Sequence, residues 1–241
     1  MLSLLAAREK LRELGNHSHT TEKFQNDLVH YAEAFASQGN SLIEVGCFRG
    51  GLTAQLALIG KRLGQHLHVV DIDAGYLEVA RQSVKAISGT RNVTFHLCDF
   101  ATFTKRAGRK VRSSLTLIDG DHYYKGVVAD IRALLAMPIR PFGVAFHDYS
   151  LRYASPELSE IRVDRALHDT LGEDFPHIPI GEMSRPGGPL QMNPAGKDVH
   201  FHQEGCSEGV LIEFRNLPVQ VGQSDPAVAP VKAAFRWPFR K

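Results

Sequence analysis

Cysteine is scarce in this sequence. Among 241 residues there are three, Cys47, Cys98 and Cys206. The count is odd and no pair has metal-finger spacing, so a disulfide framework and a zinc finger are disfavoured and a reducing compartment is expected. Long apolar runs are missing too: no window approaches the roughly 18 residues of a membrane span. The opening MLSLLAAREKLRELG has too short an apolar run for a secretory signal, and its charges begin at Arg8. These absences predict a cytoplasmic protein. Neither charge sign dominates. The 28 Lys and Arg offset 26 Asp and Glu to a formal net charge of +2, with the basic residues scattered along the chain. A nucleic-acid surface would need a basic stripe, so neither nucleic acid nor a membrane is an expected partner.

What is present is a regular alternation. Hydrophobic residues make up 43% of the chain and charged residues 22%, which suits one α/β domain with additions. Leu4, Ala7, Leu11 and Leu14 recur at helical spacing. Thr20 or Thr21 can cap a second helix that reaches about Ser37. Strand-like runs then follow at 41–45, 67–71, 93–97, 114–119 and 142–148, each succeeded by a helical pattern, as far as residue 171. Parallel pairing is implied, because each crossover must return to the same edge. After Gly172, FPHIPIGEM and GVLIEFR read as two more strands, an antiparallel hairpin at the sheet edge. The Gly- and Pro-rich SRPGGPLQMNPAGKD between them reads as a mobile loop, and the tail from Pro218 as a loosely packed arm. The predicted fold is a doubly wound, Rossmann-like seven-stranded sheet, mostly parallel, with an antiparallel C-terminal hairpin and helices on both faces.

The first strand runs into EVGCFRGG, residues 44–51. A glycine turn between a strand and a helix N-terminus is a nucleotide-binding device. A dinucleotide loop, G-x-G-x-x-G, needs its middle glycine so that the backbone can touch a pyrophosphate. Aligned on Gly46 and Gly51, that position holds Phe48, and Glu44 before the turn would repel a diphosphate. Glu44 suits a cationic ligand instead, such as S-adenosylmethionine with its ammonium and sulfonium groups. Asp71, ending the second strand beside Ile72, can accept from both ribose hydroxyls. Asp73 is the neighbouring candidate and also fits a helix cap. Asp99, ending the third strand, can accept from the adenine amino group with Phe100 packed on the base, or it can cap the next helix.

The fourth strand opens into Asp119, Gly120, Asp121 and His122, and the fifth into His147 and Asp148. Neighbouring parallel strands share one crevice at their carboxyl ends. Two aspartates and two histidines therefore converge there, a donor set that suits Mg²⁺ or Mn²⁺ with positions left for substrate hydroxyls. Asp121 also sits where a cap for the following helix would sit. Tyr123, Tyr124, Lys125 and Tyr149 either line a pocket or start helices and loops. His200 and His202 alternate on a possible strand but lack a third zinc ligand at suitable spacing.

In these pieces the sequence resembles the class I S-adenosylmethionine-dependent methyltransferases, over roughly residues 20–172. IEVGCFRGG, VVDIDAGYLEVA, VTFHLCDF and LIDGDHYYKGVVADI with FGVAFHDY carry the resemblance. The last piece is similar to the macrocin O-methyltransferase group, methyltransferase family 24. The resemblance implies S-adenosylmethionine as cofactor, with Glu44, Gly46, Cys47, Phe48, Gly50, Asp71, Ile72, Asp99, Phe100 and Asp119 around it. It implies Asp119 and Asp148 as ligands of Mg²⁺ or Mn²⁺, and His122 as general base. His147 departs from the carboxylate common in metal-dependent relatives, and is either a further ligand or a second base. The expected organisation is N-terminal helices over 1–40 capping the acceptor side, an S-adenosylmethionine-binding domain over 41–216, and a tail over 217–241. The expected reaction is O-methylation of a hydroxylated small molecule, a sugar or natural product, with the helices before residue 40 and the 184–198 loop shaping the acceptor pocket. A homodimer or higher homo-oligomer is left open. The rival readings are an NAD(P)-dependent oxidoreductase and a noncatalytic accessory subunit that keeps the fold.

Overall fold

The computed structural model describes residues 2–185, 191–192 and 199–217. Two helices come first, α1 (Leu4–Glu13) and α2 (Glu22–Ala34). The alternation follows: β1 (Ser41–Val45), α3 (Gly51–Leu63), β2 (His66–Asp71), α4 (Ala74–Ile87), β3 (Val93–Leu97), α5 (Phe100–Arg106), β4 (Ser113–Ile118), α6 (Tyr124–Leu135) and β5 (Gly143–Phe146). The remainder is β6 (Leu151–Tyr153), α7 (Val163–Leu171), β7 (Ile178–Met183), β8 (Gln191–Met192), β9 (Val199–His202) and β10 (Ser207–Glu213).

Seven strands form the main sheet, in the order β3-β2-β1-β4-β5-β10-β7. The first five are mutually parallel, and β10 is antiparallel to both β5 and β7. This is the doubly wound arrangement the alternation predicts. The hairpin differs in one detail. Its second arm, β10, lies inside the sheet, and its first arm, β7, forms the edge. β1 and β4 are buried along their whole length, as parallel strands covered on both faces must be.

Alternate residues feed two cores. Leu42, Leu67, Val69, Leu115 and Leu117 face α1 to α4, where Ala7, Leu11, Phe24, Leu28, Leu56 and Leu77 meet them. Ile43, Val45, Val70, Ile118 and Phe146 face α5 to α7, against Phe103, Val127, Ile131 and Leu167. The first two helices thus contribute to the same core as the sheet. Leu14, placed by its spacing on the apolar stripe of α1, is instead 49% exposed just beyond the helix end.

A second, three-stranded sheet has the order β6-β9-β8; β9 is the possible strand that carries His200 and His202, and β6 and β8 lie outside the sequence reading. β6 is only three residues long, too short to show a period. Most of the 184–198 stretch read as a mobile loop, and the tail after Leu217, lie outside the described residues. Among the described residues, no helix is long and apolar enough to cross a membrane.

Candidate active site

The register aligns the strand tips. Val45 stands opposite Val70 on one side and Ile118 on the other, and Ile118 stands opposite Phe146. Backbone bonds continue the alignment beyond the strands. Gly46 N–H donates to the Val70 carbonyl at 2.9 Å, Asp119 N–H to that of Val45 at 2.8 Å, and His147 N–H to that of Ile118 at 3.1 Å. Gly46, Asp71, Asp119 and His147 therefore leave the sheet along one edge.

The glycine loop is held by close approach. Gly46 has φ +83°, and a Cβ on it would lie 2.3 Å from the Asp119 carbonyl oxygen. Phe48 also has a positive φ, 43°, and the residue is 40% exposed. It meets Tyr76 and His19 edge-on, with centroids 5.1 and 4.9 Å away. Asp71 ties this loop to the tip of β2. Its Oδ2 accepts from Cys47 N–H at 2.9 Å and from the Cys47 thiol at 3.3 Å, and its Oδ1 accepts from Asp73 N–H at 2.9 Å. Burial, reinforced by Asp71, pushes the Cys47 thiol up, so it stays protonated and donates. Ile72, next to Asp71, is 68% exposed.

The capping alternatives hold for Asp73 and Asp99. Asp73 accepts from Gly75 N–H at 2.7 Å, and Asp99 accepts from Thr102 N–H at 2.6 Å. Phe100 packs into the core beside Phe103. Asp121 accepts from Tyr123 N–H at 2.9 Å, a turn just ahead of α6 rather than a cap on it. Of the aromatic pocket candidates, Tyr149 is buried, with its hydroxyl 3.0 Å from His168 Nε2. The Tyr124 hydroxyl donates to Asp169 at 2.9 Å.

Glu44 lies beneath the loop, 1% exposed, with Oε2 lacking any hydrogen-bond partner. Burial, with repulsion from Asp119 and Asp71 behind it, raises its carboxyl from 4.5 to about 8. A cationic group brought against such an acid would restore its charge.

Asp119, His122, His147 and Asp148 form one cluster, with a ligand atom from each lying within 4.8 Å of the others. His122 Nε2 is 3.3 Å from Asp119 Oδ1 and 3.3 Å from Asp148 Oδ2. His147 Nδ1 is 3.0 Å from Asp119 Oδ1 and 3.3 Å from Asp148 Oδ1. Burial alone would raise the acids and lower the imidazoles. The mutual attraction of the pairs overrides it, so both aspartates fall below the usual carboxylate range and both imidazoles rise above theirs. Asp148 holds its place at φ +57°, a left-handed conformation that aspartate tolerates better than most residues.

One member of the site is missing from the sequence reading. Glu208, at the start of β10, is buried and sets its Oε1 3.1 Å from His147 Nε2. It also accepts from Thr21 N–H at 2.9 Å, from the Thr21 hydroxyl, and from Glu182 N–H at 3.2 Å. His147 therefore has its Nε2 engaged by Glu208 and its Nδ1 aimed at the acid pair, while Phe24 of α2 packs against its ring at 4.7 Å. His202 bonds to Ser150 at 2.9 Å, and His200 Nδ1 is buried without a partner.

Residues 43–149 match the family model for methyltransferase family 24, described as a methyltransferase domain. Over that span the chain is similar to the methyltransferase domains of family 24. Solved structures share its fold. An O-methyltransferase from Bacillus cereus in complex with S-adenosylhomocysteine aligns with a TM-score of 0.58 at 12% identity, over 86% of this chain and 90% of that one. TomG, an O-methyltransferase from Streptomyces achromogenes involved in tomaymycin synthesis and solved with S-adenosylmethionine, aligns with a TM-score of 0.53 at 15% identity, over 87% and 88%. No curated protein matches the sequence. The family 24 match contains the glycine loop and all four cluster residues, whereas Glu208 lies beyond its end.

Proposed function

We propose that this chain is a family 24 methyltransferase that moves a methyl group from S-adenosylmethionine to a hydroxyl of a small molecule, a sugar or natural product, with help from a divalent ion. The observation that carries the reading is the placement of the Asp119, His122, His147 and Asp148 cluster directly against the glycine loop, through the Gly46–Asp119 contact. The donor fits the residues present. Glu44 offers an unpartnered buried carboxylate to the ammonium, Asp71 offers acceptors to the ribose, and Ile72 gives an exposed apolar side chain beside them. Asp99, at the start of α5, would face the adenine, while Phe100 packs into the core behind it. Phe48, exposed at the loop where a dinucleotide needs bare backbone, opposes the NAD(P) alternative.

S-adenosylmethionine supplies a methyl group on a sulfonium, and a divalent ion, when bound, lowers the pKa of the attacking hydroxyl. The protein's own groups do the remainder. Asp119, Asp148 and His147 Nδ1 would hold the ion, and an imidazole among the donors favours Mn²⁺ or Fe²⁺ over Mg²⁺. His122, the more accessible imidazole of the cluster, takes the hydroxyl proton on Nε2 in its neutral form; the adjacent aspartates raise its pKa, so this role grows as the pH rises, and they stabilise the charge that results. The glycine loop and strand tips hold the partners in line, which is the larger contribution to rate in such a displacement.

The test is a thermal shift followed by turnover. S-adenosylhomocysteine should raise the melting temperature and NAD should not. Methyl transfer to a panel of hydroxylated acceptors should vanish in EDTA, return with Mn²⁺, and be lost in Asp148→Ala. Full activity in EDTA would sink the metal half of the proposal, and no shift with S-adenosylhomocysteine would sink the donor half.

A further inference from the structure

Three imidazoles away from this crevice share one face of the sheet at its open edge. His66 and His68 are two residues apart on β2, and His96 is on the adjoining edge strand β3, paired with Val70. Residues i and i+2 of a strand point the same way. Val70 packs toward α5 to α7, so all three histidines take that face. The ring centroids of His66 and His68 are 4.9 Å apart, and those of His68 and His96 are 5.4 Å apart. His68 Nδ1 lies 3.1 Å from His96 Nε2.

That separation is the bite of a chelate. Two imidazole nitrogens bound to one tetrahedral zinc at 2.0–2.1 Å stand about 3.3 Å apart, and three imidazoles with an open fourth position are an established zinc donor set. The rings are also in the binding form. Burial, with help from the neighbouring imidazoles, brings His68 down to about 4 and lowers His96 as well, so neither holds a proton that a metal must expel at neutral pH. Phe103 of α5 lies against both rings, with centroids 5.7 and 4.8 Å away, and walls the pair on the core side.

We propose that His66, His68 and His96 form a second metal site, for a borderline transition-metal ion such as zinc, that clips the edge strand β3 to β2. His66 joins by turning its Nε2 away from the Thr94 hydroxyl, which it meets at 2.8 Å in an exposed hydrogen bond. The all-nitrogen donor set distinguishes this site from the carboxylate cluster at the strand tips, which is better suited to harder ions. The three positions are brought to one face only in the folded chain, so a bound ion would stabilise the fold. None of this depends on the proposed methyl transfer.

Zinc titrated into the full chain carrying Asp119→Asn, His122→Gln, His147→Gln and Asp148→Asn, which removes the strand-tip donors, reads the histidine site. One equivalent should bind by calorimetry and raise the melting temperature, and His68→Phe or His96→Phe should weaken binding at least about tenfold. The ring ¹⁵N resonances of His68 and His96 in the protein with all histidines intact should shift on zinc addition, a readout that survives if either variant misfolds. Zinc affinity unchanged in both histidine variants, no binding at all, or ring resonances that stay in place would each overturn the proposal.

Discussion

Glu44→Gln tests the heart of the donor site without knowledge of the acceptor. The carboxyl is 1% exposed, and burial raises it from 4.5 to about 8. A group whose folded pKa lies above its unfolded one binds its proton more tightly in the native state. Its contribution to stability is therefore fully present below about pH 4.5 and is lost as the pH rises through about 8. At about 1.4 kcal/mol per pH unit, that interval corresponds to roughly 5 kcal/mol. Glutamine keeps the shape and cannot ionise. Urea unfolding of the two proteins should agree near pH 4.5 and then diverge, with the variant ahead by up to about 5 kcal/mol near pH 9. Parallel stability curves would refute a protonated, unpartnered Glu44. A second measurement separates burial from ligand contact. If the donor's ammonium meets this carboxyl, S-adenosylhomocysteine binding at pH 7 should release about one proton, read from calorimetry in buffers of different ionisation enthalpy, and the glutamine variant should release none. Diverging stability curves without proton release would leave Glu44 buried and protonated but remove it from the donor site.

Asp71→Asn should weaken S-adenosylhomocysteine at least about tenfold and cost about 1–3 kcal/mol of stability, because asparagine keeps one acceptor and sets an amide donor against the N–H of Cys47 or Asp73; unchanged affinity in calorimetry would show that the ribose does not bind there. Glu208→Ala should cost about 3 kcal/mol in chemical denaturation, since it strips an acceptor from His147, Thr21 and Glu182 at once, and Glu208→Gln should recover part of that. A cost below about 1 kcal/mol would mean that the buried contact to His147 is not maintained. Gly46→Ala should destabilise by about 2 kcal/mol or more, because the residue sits at φ +83° with the Asp119 carbonyl 2.3 Å from the would-be Cβ; a variant with the parent's melting temperature would contradict that packing.

The parallel part of the site was legible because its logic is local. Each of β1, β2, β4 and β5 carries its candidate site residues at the end of its own apolar run, so a strand and its tip are read together. Their meeting in space follows from topology alone. Capping was legible as chemistry but ambiguous as purpose. Asp73 and Asp99 bond to their helix N-termini as their positions suggest, and nothing in a single sequence says whether a cap also faces a ligand. Glu208 was hidden for a different reason. It lies 61 residues from His147, and in SEGVLIE an acid ahead of apolar residues reads as the solvent end of a strand.

Strand direction resolves that case. β10 runs against β5, with Val210 opposite Phe146. The beginning of an antiparallel strand therefore lies where its parallel neighbours end, and Tyr149 N–H donates to the Glu208 carbonyl at 2.9 Å just past the tip of β5. In a sheet that mixes directions, the crevice collects residues from the carboxyl ends of the parallel strands and from the amino ends of the antiparallel ones. A polar residue opening the last strand of such a sheet is thus a candidate partner for whatever closes the fifth. Here that rule selects Ser207 and Glu208. The Ser207 hydroxyl turns back onto the Gly209 carbonyl at 2.7 Å, which leaves Glu208 as the side chain that reaches His147 and fixes which nitrogen faces the acids.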